Sequence, residues 1–332
     1  MSAIAATAEG SMKAILQNRY GSPDVLELRD VDVPEIGDDR VLVRVRAASV
    51  NALDWHFLRG EPFPVRLSEG LRRPKSSLTG SDVAGVVEAV GKDVTEIRPG
   101  DEVFGTSRGT FAEFVRGREA RLVPLPVGFS FEQAAAVPVA ATTALQALRD
   151  QGRVQPGQTV LINGAGGGVG TFAVQLAKAF GAIVTGVSST KNMDLMRSIG
   201  ADDVIDYTRE DFTQRRQRFD LIVDIAGTRS LSACRRALTP HGTYVVVGGP
   251  GGRWIRPADR FVKVLVLSRF VRQRLVGVGA QINRDDLLVL KELMEAGKLT
   301  PVIDRTYPLS EVPDAIRYVE EQHARGKVVI TM

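Results

Sequence analysis

Residues 159–170 read Thr159-Val-Leu-Ile-Asn-Gly-Ala-Gly-Gly-Gly-Val-Gly170, a short apolar run that ends in five glycines within seven positions. A strand that empties into a glycine turn is the entrance to a dinucleotide site. The residues after the turn, Thr171 to Phe180, hold no proline or glycine, and Phe172, Gln175, Leu176 and Lys178 set apolar and polar groups around successive turns. That pattern predicts a helix with one side packed on a sheet. The unpaired N–H groups and positive dipole end of such a helix suit a pyrophosphate, which glycine lets approach the backbone with no Cβ in the way. Gly164, Gly167 and Gly170 fall at intervals of three, a GxxGxxG spacing rather than GxGxxG, and Gly166 and Gly168 leave further room. A glycine-rich surface loop is the competing reading. The context speaks against it: Gly181-Ala182 ends the helix, Ile183 to Val187 reads as a second strand and Asp203-Val-Ile205 as a third, in βαβαβ order.

A chain of 332 residues exceeds one comfortable core, so two domains are expected. No run approaches the length of uninterrupted apolar sequence that spans a bilayer, and Met1 to Ser11 reads as a frayed alanine-rich tail without a secretory signal. Cys234 is the single cysteine, which excludes an internal disulfide and a multi-cysteine zinc site. Its neighbours suggest a helix and a buried, inert thiol, and a reducing, cytoplasmic setting follows as the default. The formal charge of +4 is modest for this length. Arg215, Arg216 and Arg218 read as a solvated turn rather than a nucleic-acid groove.

The first 130 or so residues are built differently. Met12–Leu16, Val25–Val31, Arg40–Ala48, Val83–Val90, Glu102–Phe104 and Thr110–Val115 read as short strands, and Val41-Leu-Val-Arg-Val-Arg46 alternates at its end. Phe129 to Leu148 is helical in character. Beyond the glycine turn, Phe219–Asp224 and Gly242–Val247 extend the sheet, with a helix from about Arg229 to Leu238 between them. Gly248-Gly-Pro-Gly-Gly252 stands at a strand's carboxyl end, where open α/β sheets place ligands. Phe261–Val276 reads as a basic, apolar-rich helix and Asp285–Ala296 as an amphipathic one. Val302-Ile303, Glu311–Gln322 and Val328–Ile330 resume the style of the first part.

An NAD site normally carries an acidic side chain about twenty residues past the glycine turn. The strand end here is Val187-Ser-Ser-Thr-Lys191, with no carboxylate. Hydroxyls and an ammonium donate to a 2′-phosphate that Asp or Glu repels, so Ser188 and Lys191 point to NADP rather than NAD. The competing reading caps the next helix with Ser188-Ser-Thr190 and leaves Lys191 solvated. Tyr207 stands where it can close over the adenosine end. The predicted cofactor set is Ala165, Gly166, Gly167, Gly168, Val169, Gly170, Ser188, Lys191, Tyr207, Ala226, Val247 and Gly248.

Asn51-Ala-Leu-Asp-Trp-His56, Gly80-Ser-Asp-Val-Ala-Gly-Val-Val-Glu-Ala-Val-Gly91, Pro99-Gly-Asp-Glu-Val-Phe-Gly105, the glycine turn, Gly200-Ala-Asp202, Asp206-Tyr207 and Gly326-Lys-Val-Val-Ile330 occur in that order. With them the chain resembles the zinc-free quinone oxidoreductase branch of the medium-chain dehydrogenase/reductase superfamily, which includes zeta-crystallin-like and reticulon-interacting NADPH oxidoreductases. The resemblance implies an α/β architecture: a GroES-like β-rich catalytic domain (1–134, with 1–11 a flexible tail), a Rossmann doubly wound parallel sheet (135–299) and a segment, 300–332, that completes the first domain. It also implies a homodimer that uses NADPH to reduce a small-molecule electron acceptor, with no nucleic-acid partner and no membrane insertion. The family pattern again makes Ser188, Lys191 and Tyr207 the NADP-phosphate contacts. Zinc relatives carry a cysteine where this chain has Asn51, a histidine where it has Ser81, and a four-cysteine lobe, so no metal is expected.

The expected chemistry is hydride transfer to a quinone or an activated alkene, whose conjugation spreads the developing charge without a Lewis acid. Asn51 either donates its amide hydrogens to the acceptor oxygen or holds a turn. His56 either shuttles a proton or packs, and Trp55 either lines the cleft or joins the core. His241 and His323 read as structural or solvent-facing. Arg66, Arg72, Arg73 and Lys75 lie in a segment, 59–75, that reads as a mobile loop near the site. Two alternatives stay open: a 2-enoyl-thioester reductase, and an NADPH-binding structural or sensing protein with little turnover.

Overall fold

The computed structural model describes residues 10–249, 258–322 and 324–332, so His323 and Pro250 to Gly252 lie outside the described residues. First come the hairpin β1 (Ser11–Gln17) and β2 (Leu26–Asp32), then β3 (Arg40–Val50), helix α1 (Ala52–Arg59), β4 (Asp82–Val90), β5 (Glu102–Thr106), β6 (Phe114–Arg118) and β7 (Leu122–Pro124). After α2 (Pro138–Gln146), strands and helices alternate: β8 (Thr159–Asn163), α3 (Gly168–Ala179), β9 (Ile183–Ser188), β10 (Asp203–Asp206), β11 (Phe219–Asp224), β12 (Leu238–Val246), α4 (Ala258–Leu267), β13 (Arg274–Gly277) and α5 (Arg284–Glu295). Then follow β14 (Ile303–Pro308), α6 (Val312–Glu320) and β15 (Lys327–Thr331).

β8 to β13 form one parallel sheet in the order β10-β9-β8-β11-β12-β13. Their near-continuous apolar runs fit strands covered on both faces. The strand order reverses between β8 and β11, and there the carboxyl ends of an open α/β sheet leave a crevice. Asn163 and Asp224 stand opposite each other in register at that point. The second sheet runs β14-β15-β3-β4-β5-β7, with β6 also on β3. β15 pairs antiparallel with β3, so residues 327–331 complete a sheet whose other strands lie more than 200 positions earlier, β14 excepted.

The alanine-rich passage Ala134–Leu148 explains how the two sheets join. Ala134, Ala135, Ala140, Ala141 and Ala144 are buried, and one core cluster runs through them from Ala47, Ala84 and Phe104 of the first sheet to Val160, Ile162 and Val223 of the second. Methyl-sized side chains let helix backbone approach both sheets closely. Larger groups, Phe104 and Phe172, supply the burial, at about 1.5–3 kcal/mol each.

Four expectations are corrected. The helix after the glycine turn begins at Gly168, capped by Gly167, not near Thr171, because Gly168 and Gly170 themselves take helical geometry. Thr110 to Glu113 is not part of a ladder; β6 starts at Phe114. Its backbone is spent on several partners instead: Phe111 N–H donates to Thr79 O, Ile15 N–H to Phe111 O and Glu113 N–H to Lys13 O. The predicted helix Phe261–Val276 is two elements, α4 ending at Leu267 and β13, the edge strand of the parallel sheet; Gln273 Nε2 fixes the connection by donating to Arg235 O at 2.8 Å. Finally, β12 starts at Leu238 rather than Gly242, with a register shift against β11 that accommodates Pro240.

Gly170 shows why the turn tolerates no side chain: a Cβ there would stand 2.1 Å from Gly164 O and 2.6 Å from Ala165 O. Gly170→Ala should therefore lower stability by about 2–3 kcal/mol through overpacking. Urea unfolding followed by circular dichroism reads this, and an unchanged midpoint would contradict the close approach.

Candidate active site

The glycine turn is hemmed in from two sides. A Cβ at Gly166 would lie 2.4 Å from Asn192 Nδ2 and 2.6 Å from Ser188 Oγ, so this backbone faces the end of β9 with only a hydrogen between. On the other side Gly326 N–H donates to Gly166 O at 3.0 Å, and the methylenes of Lys327 come within 3.1 Å of where a Gly168 Cβ would be. Gly326 and Lys327, where β15 begins, thus clasp the amino end of α3.

Lys327 continues from that clasp into a buried polar cluster. It is 2% exposed, and its Nζ donates to Asn51 Oδ1 at 2.6 Å and Val50 O at 3.1 Å, with Asp82 Oδ2 at 3.5 Å. Asp82, fully buried, also accepts from Asn51 Nδ2 (2.8 Å), Ser49 Oγ (2.7 Å) and Val139 N–H (3.0 Å). Every hydrogen-bonding site of the carboxylate that faces the cluster is occupied, which is what makes its burial bearable. Burial lowers the Lys327 pKa while Asp82 and Asp54 hold it up. Asn51 is therefore in the cluster, with one Nδ2 hydrogen given to Asp82 and its Oδ1 accepting from Lys327. Its role as N-cap of α1 is met by its backbone, whose N–H donates to Asp54 Oδ2 at 2.7 Å.

His56 lies one turn further, stacked on Trp55 with ring centroids 3.6 Å apart. Its Nδ1 is 2.8 Å from Glu61 O, and since a carbonyl only accepts, Nδ1 carries the hydrogen. Burial lowers its pKa, so at neutral pH the ring is neutral and Nε2 offers a lone pair, not a proton. The cavity beside α1, of about 220 Å³, is lined by Leu53, Asp54, Phe57 and Leu58 of that helix, by Gly80, Ser81, Thr106 and Arg108, and by Leu78, Val139 and Ile282. Segment 59–75 borders it through Glu69 and Pro74, and Arg108 pairs with Glu69 across it.

At the end of β9, Ser188 is buried and Tyr207 is 55% exposed, its N–H donating to Ser188 O at 3.0 Å. Lys191 is exposed on the short turn Thr190–Asn192 that follows β9. Thr190 Oγ1 ties this turn to Asp206 Oδ2 at 2.5 Å, and Thr208 Oγ1 holds the other carboxylate oxygen at 2.7 Å. The Thr190 hydroxyl and its neighbours keep Asp206 below the usual carboxylate range, with its oxygens turned to hydroxyls. Asn192 Oδ1 is buried without a hydrogen-bond partner among the described residues. The cradle at Gly166 and this unmet acceptor fit a ribose and phosphate at the end of β9.

Ala226, Val247 and Gly248 gather at the crevice. Ala226 N–H donates to Asn163 O (3.1 Å) and Val247 N–H to Asp224 O (3.0 Å), and a Gly164 Cβ would stand 3.1 Å from Ala226 N. Beneath them the fully buried Asp224 accepts from Asn163 Nδ2 (2.7 Å), Gly227 N–H (2.9 Å), the Tyr244 hydroxyl and Arg260 Nη2 (2.5 Å). Burial raises the Tyr244 pKa and pushes the Cys234 thiol up to about 12, so Cys234 is the inert thiol expected. Asn163, Asp224, Arg260, Asn192, Asp54, Asp82 and Lys327 were not singled out as site residues from the sequence. The available signals were an acid closing the apolar run Leu221-Ile-Val-Asp224, and a lysine opening the apolar run Lys327-Val-Val-Ile330.

Among the described residues, no three or more His, Cys, Asp or Glu side chains form a group able to hold a metal ion, and no helix is long and apolar enough to cross a membrane. Arg215 is engaged by Asp203 and Glu210, and Arg218 by backbone carbonyls of residues 215–217.

Residues 37–127 match the alcohol dehydrogenase GroES-like domain family, and residues 199–330 the family described as zinc-binding dehydrogenase. The chain is 36% identical to the 2-methylene-furan-3-one reductase of Solanum lycopersicum, over 96% of this chain and 79% of that one. It is 34% identical to the chloroplastic NADPH-dependent alkenal/one oxidoreductase of Arabidopsis thaliana, over 99% and 82%. The solved quinone oxidoreductase of Coxiella burnetii superposes with a TM-score of 0.87 at 33% identity, over 97% of this chain and 100% of that one.

Removing one member of a buried charge cluster strands the others. Lys327→Met should cost about 3–5 kcal/mol of stability, since it leaves the fully buried Asp82 without its cation. A urea midpoint shifted by less than a quarter of that would show that water reaches the cluster.

Proposed function

Because the chain belongs to the zinc-independent quinone and enone oxidoreductase branch of the medium-chain dehydrogenase/reductase superfamily, we propose that it reduces small quinones and activated alkenes with NADPH. The observation that carries this reading is the continuity from cradle to cavity. The strand that clasps the glycine turn through Gly326 delivers Lys327 to Asn51, whose helix lines the acceptor cavity.

NADPH, when bound, supplies the hydride. Ala165 to Gly170 hold its diphosphate at the amino end of α3, where free N–H groups and the dipole favour anions. Ser188, Lys191 and Tyr207 take the 2′-phosphate, and Asn192 Oδ1 accepts from a ribose hydroxyl. Ala226, Val247 and Gly248 border the nicotinamide half. Lys327 and Asp82 fix Asn51 so that the start of α1 does not shift between turnovers. The apolar side chains Leu53, Phe57, Leu58 and Leu78 exclude water from the acceptor. A cavity of about 220 Å³ suits a single-ring quinone or a short enone; a long acyl thioester needs a tunnel, which argues against the thioester alternative.

We take 1–134, 135–299 and 300–332 as the functional divisions. Val262, Leu265 and Val266 on α4, together with Phe270, are exposed apolar side chains beside the edge strand β13, a face suited to a second copy in a homodimer. The buried unpaired thiol suits a reducing compartment such as the cytoplasm.

Purified protein should oxidise NADPH with benzoquinones and short enones faster than with a crotonyl thioester. Saturable NADPH binding without oxidation across that panel would favour the binding-protein alternative instead. Lys191→Ala should weaken NADPH about tenfold, about 1.4 kcal/mol, and leave NADH within about twofold. Fluorescence titration with both nucleotides measures this; equal losses would remove Lys191 from the phosphate site.

A further inference from the structure

We propose that Asp54 is the proton donor of the reduction, passing its proton by way of the Ser81 hydroxyl to the acceptor in the cavity that both residues line. This rests on the reductase reading above. The two oxygens of Asp54 are not equivalent. Oδ2 accepts the Asn51 N–H at 2.7 Å, the ordinary task of an acid in the first turn of a helix. Oδ1 accepts instead from the Ser81 hydroxyl at 3.2 Å, a bond that reverses once the carboxyl is protonated on Oδ1, and both residues line the cavity. Asp54 is 7% exposed, with Leu53, Phe57 and Leu58 of its own helix around the same space.

The charged groups near it come from three directions. Asp82 on β4 repels a second negative charge, Lys327 on β15 attracts it, and Glu69 and Arg108 on the cavity wall are paired with each other. His56, two positions on, has its Nδ1 hydrogen committed to Glu61 O. Burial lifts the Asp54 carboxyl to about 7, against the pull of the Asn51 N–H and with the help of Asp82. A carboxyl that holds its proton near neutrality on the wall of a cavity is suited to general acid work.

The bonds balance as follows for an enone. Hydride arrives with its electron pair at the β carbon, and the alkene π pair shifts toward oxygen to give an enolate. The Ser81 O–H bond breaks as its hydrogen goes to the α carbon of the enolate, whose oxygen pair re-forms the carbonyl, and the Asp54 Oδ1–H bond breaks as that hydrogen replaces it on Ser81. The carboxylate left behind regains a proton from water, so one NADPH and one solvent proton are consumed per alkene reduced.

The test compares wild type with Asp54→Asn, an isosteric change that keeps an oxygen for the Asn51 N–H, and with Ser81→Ala. Infrared spectra of cofactor-free protein labelled with carbon-13 at aspartate carboxyls should show a protonated carboxyl that titrates near pH 7 and is missing in D54N. Enone kcat/KM should fall in wild type as pH rises through about 7, because the acid must be protonated. In D54N it should be lower by about a hundredfold and flat in pH, with NADPH affinity within about twofold of wild type. S81A should lose about tenfold and keep the wild-type midpoint. An Asp54 carboxyl already ionised at pH 5, or a D54N profile that keeps the wild-type slope, overturns the proposal while leaving the reductase reading intact. A wild type inactive with every quinone and enone overturns both.

Discussion

The cluster of Lys327, Asp82 and Asn51 is the constraint on which the rest of the molecule turns. A lysine 2% exposed is held by the Val50 carbonyl at the end of β3, the adjacent Asn51 amide oxygen and the Asp82 carboxylate at the start of β4. Such a group survives burial only where its partners are fixed, because a shift of either sheet would leave a charge with nothing opposite it. The residue before it donates to the glycine turn of the parallel sheet. The glycine turn, the cavity beside α1 and the buried charge are therefore linked, and the alanine-rich helix packs against both sheets. Geometry of this kind is what hydride transfer requires, since it depends steeply on the approach of two carbons.

Much of this arrangement is legible in the residues themselves. The run Thr159–Gly170 specifies strand, turn and helix through apolar content and glycine placement, and the order of the parallel sheet follows from alternation of strands and helices. The absence of a carboxylate in Val187–Lys191 leads to the expectation of a phosphate end, and the fold sets Ser188 against Gly166 and Tyr207. What the sequence withholds is partnership at long range. Lys327 and Asn51 are 276 positions apart, and nothing local distinguishes a lysine that opens an apolar strand from one that snorkels to water. Asn192 follows directly on the hydroxyls and the lysine that were read, yet its unmet oxygen is apparent only once the turn brings it against Gly166. His56 shows the reverse: its residue type suggests proton transfer, and the fold spends its hydrogen on a neighbouring carbonyl. Element boundaries failed where tertiary contacts outweighed local pattern, as in Phe261–Val276, where the sheet's edge claims the second half as a strand.

A second buried cluster sits under the crevice. Asp224 is met by an amide, a backbone N–H, a phenol and the Arg260 guanidinium, and it stands opposite Asn163 where the strand order reverses. Its role is supportive: it fixes the ends of β8, β11 and β12, on which Ala226, Val247 and Gly248 depend. Each sheet thus holds a buried carboxylate met by several protein donors, and neither carboxylate lines the cavity beside α1. Asp54 differs from both in lining the cavity beside α1.

The pairing of β15 with β3 has a consequence for how the protein is made. Strands joined across nearly three hundred residues would face a heavy closure penalty if the intervening chain were unstructured. Early collapse of the parallel sheet shortens that span by bringing its two ends together before the first sheet is whole. During synthesis on the ribosome the earlier strands must wait, with β3 presenting an open edge until the last strand emerges. That interval is when a nascent copy is most exposed to strand exchange with its neighbours.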